Sequence, residues 1–160
     1  MQKIEELMFT PIYDNKILNT MEELSMNIPQ LDEKYEMDLS VYTESKDGSI
    51  GFEFREIDGY SKHGEPCLTN FSIEKNYTGE VPYNISFKDS YNECCKKIGR
   101  QNDFNATKLD KIKFWIIGEN NGIKILMNLR FDNTFENIKS IMFVNFDEND
   151  IGTIMMKNTN

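Results

Sequence analysis

Two segments of the chain place apolar residues at the spacing of an amphipathic helix. The apolar positions of the more regular segment are Phe87, Tyr91, Cys94 and Ile98. Residues that recur every three or four positions fall on one face of a helix with 3.6 residues per turn. Ser86 and Asp89 have the spacing of a capping box, and Gly99 is typical of a helix end. The pattern therefore predicts a helix between Ser86 and Gly99.

The same spacing occurs 70 residues earlier in the chain. The apolar positions of this earlier segment are Ile17, Met21, Leu24 and Ile28. Asp14 or Asn15 can cap the start of a helix here, and Pro29 closes the segment because proline disrupts a continuing helix. The pattern predicts a helix that runs from about Asn15 to Ile28.

Each helical segment is followed by apolar runs that are typical of strands joined by tight turns. The dipeptides Asp47-Gly48 and Asn121-Gly122 favour the positive φ angles of short hairpin turns. A third apolar run closes each half, starting at Leu68 in the first half and at Ile138 in the second. Both halves therefore have the predicted order helix, strand, strand, strand.

The repeated order predicts how the chain is organised. We expect two pseudo-repeats, at about residues 15–75 and 84–147, joined by a connector at 76–84 that contains glycine and proline. Strands joined by hairpins make an antiparallel sheet, and the helices must cover one of its faces. The expected fold class is α+β, with two tandem helix-strand-strand-strand repeats forming the sheet of a single domain over residues 1–160.

Alternation along the strands assigns their residues to the two faces of this sheet. The face expected to meet the helices carries Ile50, Phe52, Phe54, Ile123, Ile125, Met127, Leu129 and Phe131, with Met37, Leu39, Val41, Phe114 and Ile116 from the first strands. The open face is expected to carry Tyr42, Glu44, Glu53, Arg55, Glu74, Trp115, Asn128 and Arg130. Aromatic side chains and arginine are enriched at protein–protein hot spots, so these eight residues are candidate partner-binding residues. A register shifted by one residue would instead turn Trp115 into the core.

Charge narrows the classes of partner. The net charge is −9 at pH 7, with 27 acidic and 18 basic residues. Such a field repels nucleic-acid phosphates and anionic membrane surfaces, whereas it attracts a basic protein. The N-terminal residues lack the features of a secretory signal, and no apolar run is long enough to span a bilayer. We expect a cytoplasmic protein that binds neither nucleic acid nor membrane.

No motif in the sequence indicates catalysis. The three cysteines, Cys67, Cys94 and Cys95, form no CxxC motif, and Cys94 lies on the apolar helix stripe, which favours packing over a reactive thiol or a metal ligand. The single histidine, His63, is expected in an exposed loop without an oriented partner nearby in the sequence. We therefore expect no enzyme activity, no metal and no cofactor, although a catalytic pair of carboxylates stays an open alternative.

Three segments carry a resemblance to known proteins: SFKDSYNECCKKIG, KFWII and NNGIKILMNLRF. A capped helix ending in Ile-Gly, a tryptophan-bearing strand and an apolar hairpin resemble the tandem repeats of the beta-lactamase inhibitor protein and its lipoprotein relatives, over about residues 15–147. In its small size, acidic charge and high asparagine content, the chain is also similar to immunity proteins of bacterial polymorphic and contact-dependent growth inhibition toxin systems.

The second resemblance implies a function. Immunity proteins bind a cognate toxin C-terminal domain stoichiometrically, and the toxin expected for so acidic a chain is a basic nuclease. The alternatives are a small ligand-binding or enzymatic α+β domain, with a pocket between helices and sheet, and an accessory subunit of a phage or secretion system.

Overall fold

The computed structural model describes residues 3–159 of the chain. The chain forms two compact units, which divide between Tyr77 and Thr78. Each unit combines α-helix with antiparallel strands, so the α+β class is confirmed. Across residues 3–159, no helix has both the length and the apolar character that crossing a membrane requires.

The first unit is built from two short helices and a three-stranded antiparallel meander. Its elements are α1 (Asn15–Glu23), α2 (Glu33–Asp38), β1 (Ser40–Glu44), β2 (Ile50–Arg55) and β3 (Cys67–Ile73), preceded by a 3-10 turn at Ile4–Leu7. Strand β2 pairs with both β1 and β3. The predicted inner face of β2 is confirmed, because Ile50, Phe52 and Phe54 are fully buried.

Helix α1 begins where the sequence predicts and ends earlier. The side chain of Asp14 caps it by accepting a hydrogen bond from the Lys16 amide at 2.9 Å. Ile17 is fully buried, as its position on the apolar stripe predicts. The helix stops at Glu23 because the chain turns at Ser25, whose φ is 54°. The predicted extension to Ile28 is therefore wrong, and that side chain is 48% exposed.

Helix α2 occupies residues that alternation assigned to a strand. Asp32 caps it by accepting from the Lys34 and Tyr35 amides. The left-handed Leu39, with φ 53°, ends it. Met37 consequently lies on a helix with 84% of its surface exposed, so its predicted place on the inner sheet face is wrong. A six-residue helix with one buried side chain is too short to show an apolar stripe.

The second unit contains one helix and five antiparallel strands. Its elements are α3 (Tyr91–Ile98), β4 (Phe104–Ala106), β5 (Ile112–Asn120), β6 (Ile123–Phe131), β7 (Ile138–Asn145) and β8 (Met155–Lys157), with 3-10 turns at Pro82–Asn84 and Glu148–Asp150. The strands lie in the order β7-β6-β5-β4-β8. The sequence pattern does not predict the short strand β4, and it leaves open whether the tail after Ile151 forms an edge strand, which the structure shows as β8.

Helix α3 starts one turn later than predicted. Ser90 and Glu93 form its capping box, with hydrogen bonds of 3.2 and 2.9 Å in the two directions. The predicted cap, Ser86 with Asp89, makes a separate turn in which the Ser86 amide donates to Asp89 Oδ2 at 2.8 Å. The helix ends at Gly99 (φ 92°), as predicted. Ser86 to Asp89 and Ser90 to Glu93 both have the sequence pattern of a capping box, and the second segment caps the helix.

The predicted faces of β5 are wrong by one residue. Trp115 pairs with Met127, and both are fully buried on the face that α3 covers. Phe114 lies on the other face, where Phe104, Leu126 and Met155 form a second apolar cluster with it. Four consecutive apolar residues, 114–117, hide the alternation of this strand, so only pairing with β6 sets its register. Phe104 of β4 and Met155 of β8 thus pack on the face that was expected to be open.

Candidate functional site

The five predicted residues of the first unit lie together around Tyr42. Tyr42 on β1 pairs with Glu53 on β2, and its side chain is 57% exposed. Its hydroxyl donates to Glu44 Oε2 at 3.3 Å, and the Arg55 guanidinium donates to Glu53. Glu74 follows β3 and acts on Tyr42 through its charge. We call these five residues the Tyr42 surface: Tyr42, Glu44, Glu53, Arg55 and Glu74.

Gly51 leaves room for the Tyr42 ring to lie against β2. Gly51 lies on β2 directly opposite Glu44, one strand away from Tyr42. A Cβ atom on Gly51 would lie 2.3 Å from the Tyr42 hydroxyl oxygen and 2.9 Å from Cζ. The phenol therefore rests on bare backbone, which only glycine leaves open. The Tyr42 ring therefore packs against the backbone of β2 while more than half of the residue stays exposed.

The electrostatics of the Tyr42 surface favour a cationic partner. Partial burial raises the pKa of Tyr42, and the neighbouring charges of Glu44, Glu74 and Glu53 raise it further. The phenol therefore stays neutral and keeps its hydroxyl proton at physiological pH. A partner would meet a hydrogen-bonding aromatic ring surrounded by carboxylates, a combination that suits arginine and lysine side chains.

A groove of about 370 Å³ adjoins the Tyr42 surface. Tyr42 and Glu53 line one side, and Asp32, Lys34 and Asp38 of the α2 region line another. Three carboxylates against one ammonium group make the groove acidic. Asp32 and Asp38 are not among the eight candidate partner-binding residues, because the sequence pattern does not reveal α2, which brings them to this groove.

The net charge of the chain belongs entirely to the first unit. Residues 1–77 contain 16 acidic and 7 basic residues, which gives −9, whereas residues 78–160 contain 11 of each. The acidic groove and the Tyr42 surface therefore lie on the unit that carries all of the excess negative charge. A cationic molecule would therefore be attracted to the first unit rather than equally to both units.

Trp115 does not contribute to an exposed surface. Its side chain is fully buried, its Nε1 donates to the Arg100 carbonyl at 3.2 Å, and the Tyr91 ring lies 6.2 Å away. The predicted exposure of Trp115 is wrong because β5 presents this residue to α3. Truncating so large a buried side chain costs about 3–5 kcal/mol of stability. A weakened complex after Trp115→Ala would therefore report on folding rather than on contact with a partner.

The other two predicted residues, Asn128 and Arg130, belong to the second unit and are not part of the Tyr42 surface. Asn128 is half-buried in β6, between Phe114 of β5 and Met142 of β7. Arg130 is exposed near the end of β6, where it lines a different groove. The structure therefore gathers five of the eight predicted residues into one surface of the first unit.

His63 has two oriented partners that the sequence did not indicate. Its Nε2 lies 3.1 Å from Glu36 Oε2, and its Nδ1 lies 3.2 Å from Glu56 Oε2. The hydroxyl of the buried Tyr35 donates a hydrogen bond to Glu56. This hydrogen bond is the main reason why the pKa of Glu56 is lowered. Both ring nitrogens face carboxylates, so neither is free to act as a general base. The cluster ties α2 to the loop that follows β2.

Cys94 is a packing residue, as its position on the apolar helix stripe predicts, and Cys67 is buried as well. Burial raises the pKa of the Cys94 thiol to about 12 and also raises the pKa values of Cys67 and Cys95. All three thiols are free and protonated at neutral pH, which makes them poor nucleophiles. Within the part of the chain that the structure describes, no three His, Cys, Asp or Glu side chains are placed to hold a metal ion.

Comparison of the chain with protein-family models, curated proteins and solved structures finds no match.

Proposed function

We propose that this protein is an immunity protein, which binds and neutralises the C-terminal domain of a cognate bacterial toxin in a stoichiometric complex. The observation that carries the proposal is the exposed Tyr42 ring, held on Gly51 among Glu44, Glu53 and Glu74. A positioned aromatic side chain ringed by charge has the composition of a binding hot spot. The proposed toxin is a basic nuclease that acts in the cytoplasm, where this protein would meet it.

The acidic groove supplies the proposed means of inhibition. A nuclease binds the phosphate backbone of its substrate through arginine and lysine side chains. The carboxylates of Asp32, Asp38 and Glu53 would occupy such cations in place of phosphates, while Tyr42 packs beside them. Charge complementarity of this kind speeds association, and the aromatic contact slows dissociation.

We also propose that the two units derive from one duplicated module. In the first unit α1 and α2 precede the meander β1-β2-β3, and in the second unit α3 precedes β4 and the meander β5-β6-β7. The shared order of helix and three paired strands supports a tandem repeat that resembles the beta-lactamase inhibitor protein. Helix α2 and strands β4 and β8 would be later additions to one copy or the other.

A rescue experiment tests the function. The toxin domain encoded next to the gene for this protein is expressed in a sensitive bacterium, with or without this protein. We expect the wild-type protein to restore growth and to form a 1:1 complex with the purified toxin domain. Failure of the wild-type protein both to bind this domain and to restore growth would refute the proposal.

Two tyrosine variants test the role of the Tyr42 surface in that complex. Tyr42→Ala should weaken binding by about 2 kcal/mol, which is about 30-fold in Kd. Tyr13→Ala removes another tyrosine of the same unit that is 50% exposed but lies outside the surface and the groove, so it should leave Kd nearly unchanged. Equal affinities of the two folded variants would show that the toxin binds elsewhere.

A further inference from the structure

A second groove, of about 530 Å³, lies in the second unit at the end of β6. Its walls are Arg130 of β6, Lys111 before β5, Lys139 of β7, and the loop residues that follow β6. Because β6 pairs with both β5 and β7, the three cations come from adjacent strands and their approaches. We call this site the cationic groove: Lys111, Arg130, Lys139 and residues 131–134.

The cations of this groove are not neutralised by ion pairs. Arg130 and Lys139 are exposed and make no salt bridge with any residue from 3 to 159, and Lys111 donates to the neutral amide oxygen of Asn133. Arg130 and Lys139 therefore line the groove with charged donors that have no carboxylate partner among residues 3–159. Such donors gain most from an oxyanion that accepts more than one hydrogen bond.

The one acidic residue that lines the groove is committed to its own loop. Asp132 Oδ1 accepts from the Thr134 amide and hydroxyl at 3.1 and 2.9 Å and from the Glu136 amide at 3.1 Å, and Oδ2 accepts from Asn137 Nδ2 at 3.1 Å. These hydrogen bonds, that of Asn137 above all, lower the pKa of Asp132 to about 2. The carboxylate therefore shapes the loop, and the lining as a whole keeps an excess of positive charge.

We propose that the cationic groove binds a small phosphate-bearing ligand through Arg130, Lys139 and Lys111. The volume lies within the range of small-molecule sites, about 300–1,000 Å³. The bidentate fork of arginine matches two oxygens of one phosphoryl group, while lysines act as point charges on its neighbours. A ligand with two linked phosphates, such as a nucleoside diphosphate, satisfies three cations better than a single phosphate does.

The charge of the whole chain does not prevent this binding. The second unit carries 11 acidic and 11 basic residues, so its own net charge is zero. Exposed charges more than about 10 Å away are largely screened at 0.1 M ionic strength. A groove with three cations is also too small for a strand of nucleic acid, which needs a longer positive track.

A titration of the full chain with pyrophosphate tests the proposal without any toxin. Calorimetry gives Kd, and amide chemical shifts locate the site. We expect saturable binding, with shifts centred on Lys111, residues 130–134 and Lys139. Sulfate should bind at least about fivefold more weakly, because it offers only one group to the three cations.

Matched charge variants assign the binding to the groove. Arg130→Gln with Lys139→Gln should weaken pyrophosphate binding at least about tenfold. Lys124→Gln with Lys157→Gln removes the same charge from two exposed side chains of the same unit outside the groove, and should change Kd less than about twofold.

Four results would overturn the proposal: no saturable shifts up to about 10 mM pyrophosphate, equal binding of sulfate, equal weakening by both double variants, or tighter binding of a ten-nucleotide DNA strand than of pyrophosphate. The rescue of growth from the toxin is independent of all four. Failure of this proposal therefore leaves the proposed immunity function untouched, and the reverse also holds.

Discussion

At the scale of single residues, a substitution at Gly51 should change affinity for the partner without changing the stability of the fold. Gly51→Ala places a methyl group against the far end of an exposed, flexible side chain, which can move away. We therefore expect the free energy of unfolding to change by less than about 1 kcal/mol, since alanine and glycine differ little in a strand. The Tyr42 ring should leave its place on β2, and affinity for the toxin domain should fall toward that of Tyr42→Ala.

Gly118→Ala is the matched control for this change. Gly118 also lies in a strand, β5, but a Cβ atom there would meet nothing within 4 Å. Its substitution should alter neither stability nor affinity. Proton NMR follows the ring directly, through the nuclear Overhauser contacts between the Tyr42 ring and the backbone protons of residue 51. Persistence of these contacts in the Gly51→Ala protein would contradict the proposed role of the glycine.

The sequence predicts the position of some site residues correctly and of others wrongly. Tyr42, Glu44, Glu53 and Arg55 are predicted correctly as neighbours, because clear alternation in β1 and β2 sets their face. Trp115 is not, because its strand is apolar on both faces and the register depends on pairing with β6. Gly51 was a usable signal, since a glycine inside a strand indicates a close approach.

At the scale of elements, the two Ser-x-x-acid segments before α3 make different predictions for the same type of substitution. Ser90→Ala removes the cap of α3 and should lower the free energy of unfolding by about 1 kcal/mol. Ser86→Ala is the control, because the Ser86 hydroxyl accepts only one long hydrogen bond, 3.3 Å from the Lys88 amide. We expect its effect to stay below about 0.5 kcal/mol.

Urea denaturation followed by tryptophan fluorescence measures both variants. Trp115 is the only tryptophan, and it lies in the same unit as α3, so its emission reports on the unit that contains the cap. Equal losses of stability in the two variants would show that capping at Ser90 does not stabilise the helix.

The sequence predicts the long helices and strands with a regular apolar pattern better than it predicts the short elements. Helices α1 and α3 and the long strands carry stripes or hairpin dipeptides, so their existence follows from the sequence. The three-residue strands β4 and β8 carry no such pattern, and only pairing with each other and with β5 defines them. The acidic groove escaped prediction for a related reason, because its lining depends on the short helix α2.

At the scale of the whole molecule, charge and chemistry are divided between the two units. The acidic first unit holds the Tyr42 surface, and the neutral second unit holds the cationic groove. Overall composition conceals this division, because the net charge of −9 is the sum of −9 for the first unit and zero for the second. The division means that the proposed steering of a toxin and the proposed binding of an anion should be altered by separate sets of substitutions.

The salt dependence of association tests this division. The association rate constant with the basic toxin domain should fall at least about tenfold between 20 and 500 mM salt, because long-range attraction is screened. Glu44→Gln, Glu53→Gln and Glu74→Gln together should lower the rate constant at low salt and flatten its salt dependence, while glutamine keeps an acceptor for Tyr42 and Arg55.

Neutralising the exposed Glu80, Glu119 and Glu148 of the second unit removes equal charge and should have the smaller effect. Stopped-flow fluorescence measures both triple variants, and equal reductions would mean that total charge, rather than its place on the first unit, directs the encounter.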